Sequence, residues 1–183
     1  MEIITHAPGI LEIKNFLHDE EIKELMLLIE NFNEEDWINK SKGFGAWEGN
    51  VISLGRDMEK TVLKEIDSRL QSIFVSFEKK ISLSVIHRLT PGNNIDKHRD
   101  NSSQDNLIYG IVIYINEDFK GGKIFYPGLD IEYQPRAGSL LIHYAGLYHE
   151  VTPVEEGVRY FLTSFISGTK KLPAVLKIGN HDN

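Results

Sequence analysis

The chain has 183 residues, 41% of them hydrophobic and 26% charged, with a net charge of −7 and no cysteine. That length accommodates one domain with a sizeable core, and the composition is that of a soluble globular protein. The missing cysteines exclude disulfides, thiolate zinc sites and a cysteine nucleophile together, and the acidic balance without a basic patch argues against a nucleic-acid surface. No apolar run reaches membrane-spanning length, and the residues from Met1 to His6 lack a basic segment followed by an apolar one. Neither nucleic acid nor membrane is therefore an expected partner, and the expected location is cytoplasmic.

The first third reads as helical. After a short apolar stretch, Ile10-Leu11-Glu12-Ile13, the segment Asp19 to Phe32 places Ile22, Leu25, Met26 and Ile29 at helical spacing. His18 or Asp19 starts this helix, with Glu20 and Glu21 in a first turn that favours negative charge. A Gly-rich segment from Trp37 to Gly55 holds both tryptophans and reads as a hairpin or a mobile loop. A second helix is predicted from Asp57 to Phe77, with Val62, Ile66, Leu70 and Ile73 on one face. From Ile81 the texture changes to strands over 81–89, 107–116, 123–126, 131–134, 139–144, 149–154 and 158–167, separated by Gly, Pro, Asn and Asp clusters. The expected fold is α+β but mainly β, a barrel over about 81–168 buttressed by helices in about 1–80, all in one domain.

The triplet His98-Arg99-Asp100 sets two metal-ligating side chains two residues apart, on one face of an extended backbone. His18-Asp19-Glu20 has the same pattern but opens a helix and reads as a solvated terminus. His149 begins a strand well downstream, and Arg159 follows past the turn Val154-Glu155-Glu156-Gly157. A hairpin there would lay the strand of Arg159 antiparallel beside that of His149. Two His and one carboxylate on one face of an ion leave positions open, the pattern of non-haem iron(II) oxygenases. A dicarboxylic co-substrate buried in a barrel needs a cation for its far carboxylate, and arginine stays charged and binds carboxylate with a planar fork. Alternation puts Phe161 and Thr163 on the face of Arg159, where Thr163 is placed to hydrogen-bond the same carboxylate. His87 and His143, inside apolar strands, read as core or barrel-wall histidines; His6 and His181, near the ends, read as solvated.

Residues from about Ser82 to Ile166 resemble the catalytic barrel of the prolyl 4-hydroxylase-like branch of the 2-oxoglutarate/Fe(II) oxygenases. The matching pieces occur in the family's order: Leu89-Thr90-Pro91-Gly92 leading into His98-Arg99-Asp100, then Tyr114 to Phe125 with the paired Gly121-Gly122, then Pro135 to Ile142, then His149 to Val154 with Gly157-Val158-Arg159-Tyr160. The resemblance implies a double-stranded β-helix, or jelly roll, in which His98, Asp100 and His149 bind Fe(II) and carry catalysis. Arg159 would bind 2-oxoglutarate, with Tyr114 and Thr163 as secondary contacts. It further implies a dioxygenase that uses O2, with ascorbate as a candidate reductant, hydroxylates a prolyl residue in a peptide or protein, and releases succinate and CO2. This chain departs from many prolyl hydroxylases at Leu89 and Ile95, where those carry tyrosines.

Two other substrates are consistent with the same chemistry: a free amino acid or another small molecule. For a peptide or a small molecule alike, the Trp37–Gly55 segment would supply a lid, in which Trp47 is a candidate contact but reads more readily as a packed aromatic. A nucleic-acid demethylase fits less well, because the last strand lacks the further arginine that branch displays. From a different class, a non-catalytic jelly-roll binding module would have no reason to keep His98, Asp100, His149 and Arg159. A metal-dependent barrel enzyme without 2-oxoglutarate would have no use for Arg159.

Overall fold

The computed structural model describes residues 2–40, 49–54, 60–74, 85–100 and 107–167. In chain order the elements are β1 (Glu2–Ala7), β2 (Ile10–Lys14), α1 (Asp19–Glu30), a 3-10 turn (Glu34–Asp36), β3 (Ile38–Lys40), β4 (Gly49–Ser53), α2 (Thr61–Ile73), β5 (Val85–Leu89) and β6 (Ile95–His98). There follow β7 (Leu107–Tyr114), β8 (Lys120–Gly121), β9 (Ile124–Tyr126), β10 (Ile131–Tyr133), β11 (Leu140–Tyr144), β12 (His149–Val151), β13 (Val154–Glu156) and β14 (Arg159–Ser167).

Two antiparallel sheets face one another in a jelly-roll barrel. The larger has the order β1-β2-β11-β7-β14-β5-β4-β3, the smaller β10-β9-β12-β6, and a short pair β13-β8 closes one corner. The central strands β11, β7 and β14 of the large sheet are apolar on both faces because both are covered. Along β7, Ile111 and Ile113 join one apolar cluster with the helices, while Val112 and Tyr114 join another inside the barrel. The same alternation separates Leu140 and Ile142 from Leu141 on β11, and Leu162 and Ile166 from Phe161 on β14.

The helices supply the outer cover. Leu25 and Ile29 of α1, and Val62, Leu63, Ile66, Leu70 and Ile73 of α2, are buried against the sheet. Each such side chain contributes roughly 1.5–3 kcal/mol of burial. Arg69 of α2 ties the two helices together, donating to Glu21 Oε1 and Oε2 at 2.6 and 2.9 Å and to the Phe16 carbonyl at 2.5 Å. Glu21 Oε2 also accepts from the His18 N–H at 2.8 Å, at the start of α1. Among the described residues no helix is long and apolar enough to cross a membrane.

Several expectations are corrected. The first third is not simply helical, since it also holds four strands. β2, the short apolar stretch, pairs with β11 within the large sheet, and β1 pairs with β2 at the sheet's edge. β1 is exposed or half-buried along its length, so its sequence carries little periodic signal. Within the Trp37–Gly55 segment, β3 pairs antiparallel with β4, with Ile38 opposite Val51, as the hairpin alternative expected. Residues 41–48, including Trp47, lie outside the described residues, as do 55–59, 75–84 and His181. His6 is half-buried and not simply solvated: its Nε2 lies 2.8 Å from Oε2 of the buried Glu12.

The strands of His149 and Arg159 are not paired. β12 lies between β6 and β9, whereas β14 lies between β5 and β7. Pro153, which has no N–H to donate, follows β12, and β13 then pairs with β8. The chain thereby crosses from one sheet to the other, so His149 and Arg159 face each other across the barrel.

Candidate active site

His98 and His149 are cross-strand partners on β6 and β12, and their ring centroids are 4.3 Å apart. Asp100 follows β6 and carries its carboxylate between them. Its Oδ1 lies 3.6 Å from His98 Nε2 and 3.8 Å from His149 Nε2. One ligand atom from each of the three lies within 4.8 Å of the others. The far nitrogen of each ring is fixed by main chain: His98 Nδ1 donates to the Asp96 carbonyl at 2.8 Å and His149 Nδ1 to the Leu147 carbonyl at 3.0 Å. These bonds set the tautomers and aim both Nε2 lone pairs at the space beside Asp100.

The protonation states suit a cation. Burial pushes the His149 imidazolium down to about 3, with His143 adding repulsion, so the ring is neutral and ready to ligate. Burial alone would raise Asp100, but the hydrogen bond from His143 and the adjacent His98 imidazole outweigh it and hold the carboxyl well below its usual range. Burial would lower His98, yet its contacts with Asp100 and the Asp96 carbonyl raise it. A negative carboxylate between two imidazoles is a hard-to-borderline donor set suited to a divalent first-row metal.

The same cavity holds Arg159. Its lining includes Ile95, Val112, Phe161 and Thr163 together with the three candidate ligands. Arg159 is 1% exposed, yet its Nε and Nη1 have no hydrogen-bond partner. Its guanidinium lies 5.4 Å from the centroid of the Tyr114 ring, and the buried Tyr114 hydroxyl also lacks a partner. Gly122, with a left-handed φ of 57°, brings backbone against this group; a Cβ there would lie 3.2 Å from Arg159 Cδ. A buried arginine and a buried phenol without partners need an anion, and a carboxylate fits both. Thr163 reaches the cavity as the alternation requires, and its Oγ1 lies 2.8 Å from His87 Nε2. His87 is a buried barrel histidine stacked on Phe161.

Three residues of the site were not singled out as functional by sequence. His143 reaches in from β11, with Nε2 2.8 Å from Asp100 Oδ2 and Nδ1 3.0 Å from the Tyr126 hydroxyl. Gly110 lies opposite His143 in the sheet, where a Cβ would collide with both Asp100 Oδ2 and His143 Nε2. The signal for His143 was its spacing of two from the inward-facing Leu141, which puts a polar ring inside the barrel, where it requires a partner.

The family model of the 2OG-Fe(II) oxygenase superfamily matches residues 84–167. Residues 84–167, which hold β5 to β14, are thus a 2OG-Fe(II) oxygenase domain, and the protein is a dioxygenase that uses Fe(II), 2-oxoglutarate and O2. Among solved structures, a prolyl-4-hydroxylase from Pseudomonas putida is similar at 18% identity and a TM-score of 0.69, covering 90% of this chain and 95% of its own. A prolyl hydroxylase from Trichoplax adhaerens, solved with a hypoxia inducible factor peptide fragment, has 18% identity and a TM-score of 0.73, with coverages of 88% and 84%. The viral collagen prolyl hydroxylase of Paramecium Bursaria Chlorella virus-1, solved as its 2OG complex, has 18% identity and a TM-score of 0.65, with coverages of 86% and 95%. At that identity the likeness establishes the shared fold. No curated protein matches the sequence significantly.

Proposed function

We propose that this dioxygenase hydroxylates a prolyl residue in a peptide or protein, with His98, Asp100 and His149 as metal ligands and Arg159 as the partner of 2-oxoglutarate. The chain is read as one domain in which the helices support the barrel. The observation that carries the site assignment is the buried, unpartnered Arg159 in the same cavity as the His98, Asp100 and His149 cluster.

Fe(II), when bound with 2-oxoglutarate and O2, supplies an oxidative decarboxylation that inserts one oxygen atom into a substrate C–H bond and leaves succinate and CO2. His98 and His149 offer their Nε2 lone pairs and Asp100 its Oδ1. Arg159 holds the far carboxylate of the co-substrate through the nitrogens that lack partners, and the Tyr114 O–H donates to the same group. Thr163 is a weaker contact, since its Oγ1 also meets His87. Ile95, Val112 and Phe161 exclude water from the reacting face.

The prolyl assignment rests on the neighbours, two named as prolyl hydroxylases of peptide or collagen type and one as a bacterial prolyl-4-hydroxylase. Ile95, lining the cavity where many prolyl hydroxylases carry tyrosine, favours a second reading: the same chemistry on a free amino acid or other small molecule. The first test is an anaerobic titration of metal-free protein with Fe(II) and then 2-oxoglutarate, following the visible band of the chelated keto acid. The band should form, vanish in Asp100→Ala and weaken in Arg159→Ala. Metal binding without the band would overturn the co-substrate assignment. Succinate release measured with proline-containing peptides against free amino acids then separates the two substrates.

A further inference from the structure

We infer that His143 is a positioning residue that restricts Asp100 to ligation through one oxygen, with Tyr126 fixing the imidazole that does so. This rests on the assignment of His98, Asp100 and His149 as the metal ligands. The two oxygens of Asp100 have different surroundings. Oδ1 faces the Nε2 atoms of His98 and His149 at 3.6 and 3.8 Å, whereas Oδ2 is 2.8 Å from His143 Nε2. A carboxylate only accepts, so His143 Nε2 carries the hydrogen of that bond. Nδ1 then takes the Tyr126 O–H across 3.0 Å, and the buried phenol stays a donor because burial keeps it protonated.

The relay is built into the barrel wall. His143 is 2% exposed, lies tilted beside His149 with 4.3 Å between ring centroids, and sits opposite Gly110 on β7. Any side chain at 110 would occupy the space where Oδ2 and Nε2 meet. A carboxylate free to bind through both oxygens would take one more position on the ion. Three positions are needed, two for the keto acid and one for O2, so a site using this chemistry gains from a donor that occupies Oδ2.

Metal-free protein titrated with Mn(II) tests this without turnover. His143→Phe keeps a flat ring but no donor and should weaken Mn(II) binding about 10- to 100-fold. His143→Gln, whose amide nitrogen reaches the place of Nε2, should remain within roughly threefold of wild type, because the donor is kept. Tyr126→Phe preserves the volume, and losing one neutral hydrogen bond should weaken binding roughly three- to tenfold. Melting temperatures of the metal-free proteins check folding; if His143→Phe fails to fold, the Gln and Tyr126→Phe arms decide. Wild-type affinity in folded His143→Phe or in Tyr126→Phe overturns the inference, as does a loss in His143→Gln as large as in the Phe variant. Absence of Mn(II) binding by the wild type, or its persistence in Asp100→Ala, would instead overturn the ligand assignment beneath it.

Discussion

Arg159 and Tyr114 point polar groups into the same barrel interior, and neither Nε and Nη1 of the one nor the hydroxyl of the other has a partner. The guanidinium lies over the Tyr114 and Phe161 rings at 5.4 and 4.6 Å. Aromatic faces temper a desolvated cation but do not replace an anion. Burial lowers the arginine's pKa, with Tyr114 opposing it, and pushes the Tyr114 phenol up. The arrangement is destabilising by itself and becomes favourable once a carboxylate enters.

Arg159→Met should therefore separate stability from function. Replacing a buried, unpaired charge with an apolar chain of similar length is expected to be neutral or stabilising by about 1–4 kcal/mol in ligand-free protein. The same change should weaken 2-oxoglutarate binding on the order of a hundredfold or more, since charge-assisted bonds contribute roughly 1.5–3 kcal/mol each. Thermal melts with and without metal and 2-oxoglutarate read both effects. A variant that melts lower yet responds to 2-oxoglutarate like wild type would sink the assignment.

Tyr114→Phe removes one hydroxyl that has no partner in the ligand-free barrel. Its melting temperature should match or slightly exceed that of wild type. Affinity for 2-oxoglutarate should fall roughly 10- to 150-fold, the worth of one hydrogen bond to a charged group. Unchanged affinity in calorimetric titration would make Tyr114 a packing residue only.

Gly110→Ala is predicted to weaken metal binding while the chain still folds. Gly110 forms part of the long β7 ladder, and alanine is compatible with a strand, but its methyl would strike Asp100 Oδ2 and His143 Nε2. Asp100 then rotates away from His98 and His149. Mn(II) affinity should drop by more than tenfold, the usual lower bound for disturbing groups that orient metal ligands. Wild-type affinity in this variant would show that Asp100 has more room than the ladder allows.

What could be read from the residues was what depends on local spacing. Arg159, Phe161 and Thr163, alternating on one strand, share a face because strand geometry has period two, whereas Asp100 meets His98 from the bend after β6, not from extended backbone. What could not be read depends on partners distant in sequence. His143 meets Asp100 across 43 positions, and nothing beside either residue encodes that meeting. The expected hairpin between His149 and Arg159 failed for a related reason: a tight-looking turn does not say which sheet the next strand joins. β1 escaped notice because an edge strand has little to bury, and β6 because its four residues include three polar ones.

The contact between Glu21 and Arg69 makes the helical cover pH-sensitive. Burial would raise the Glu21 carboxyl, but hydrogen bonds from Arg69 and from the His18 N–H, with the charge of Arg69, hold it below its usual value near 4.5. A carboxyl depressed in the folded state contributes its stability above the unfolded value and loses it as pH falls through the folded one. Glu21→Gln should lower stability by about 1.5–3 kcal/mol at neutral pH, the range for a hydrogen bond to a charged group. Between pH 7 and 5 the gap in melting temperature from wild type should stay constant. Below about 4.5 it should narrow, because protonated Glu21 then resembles the glutamine. A gap that persists undiminished to pH 3 would mean that Glu21 joins α1 to α2 through shape and hydrogen bonding, not through its charge.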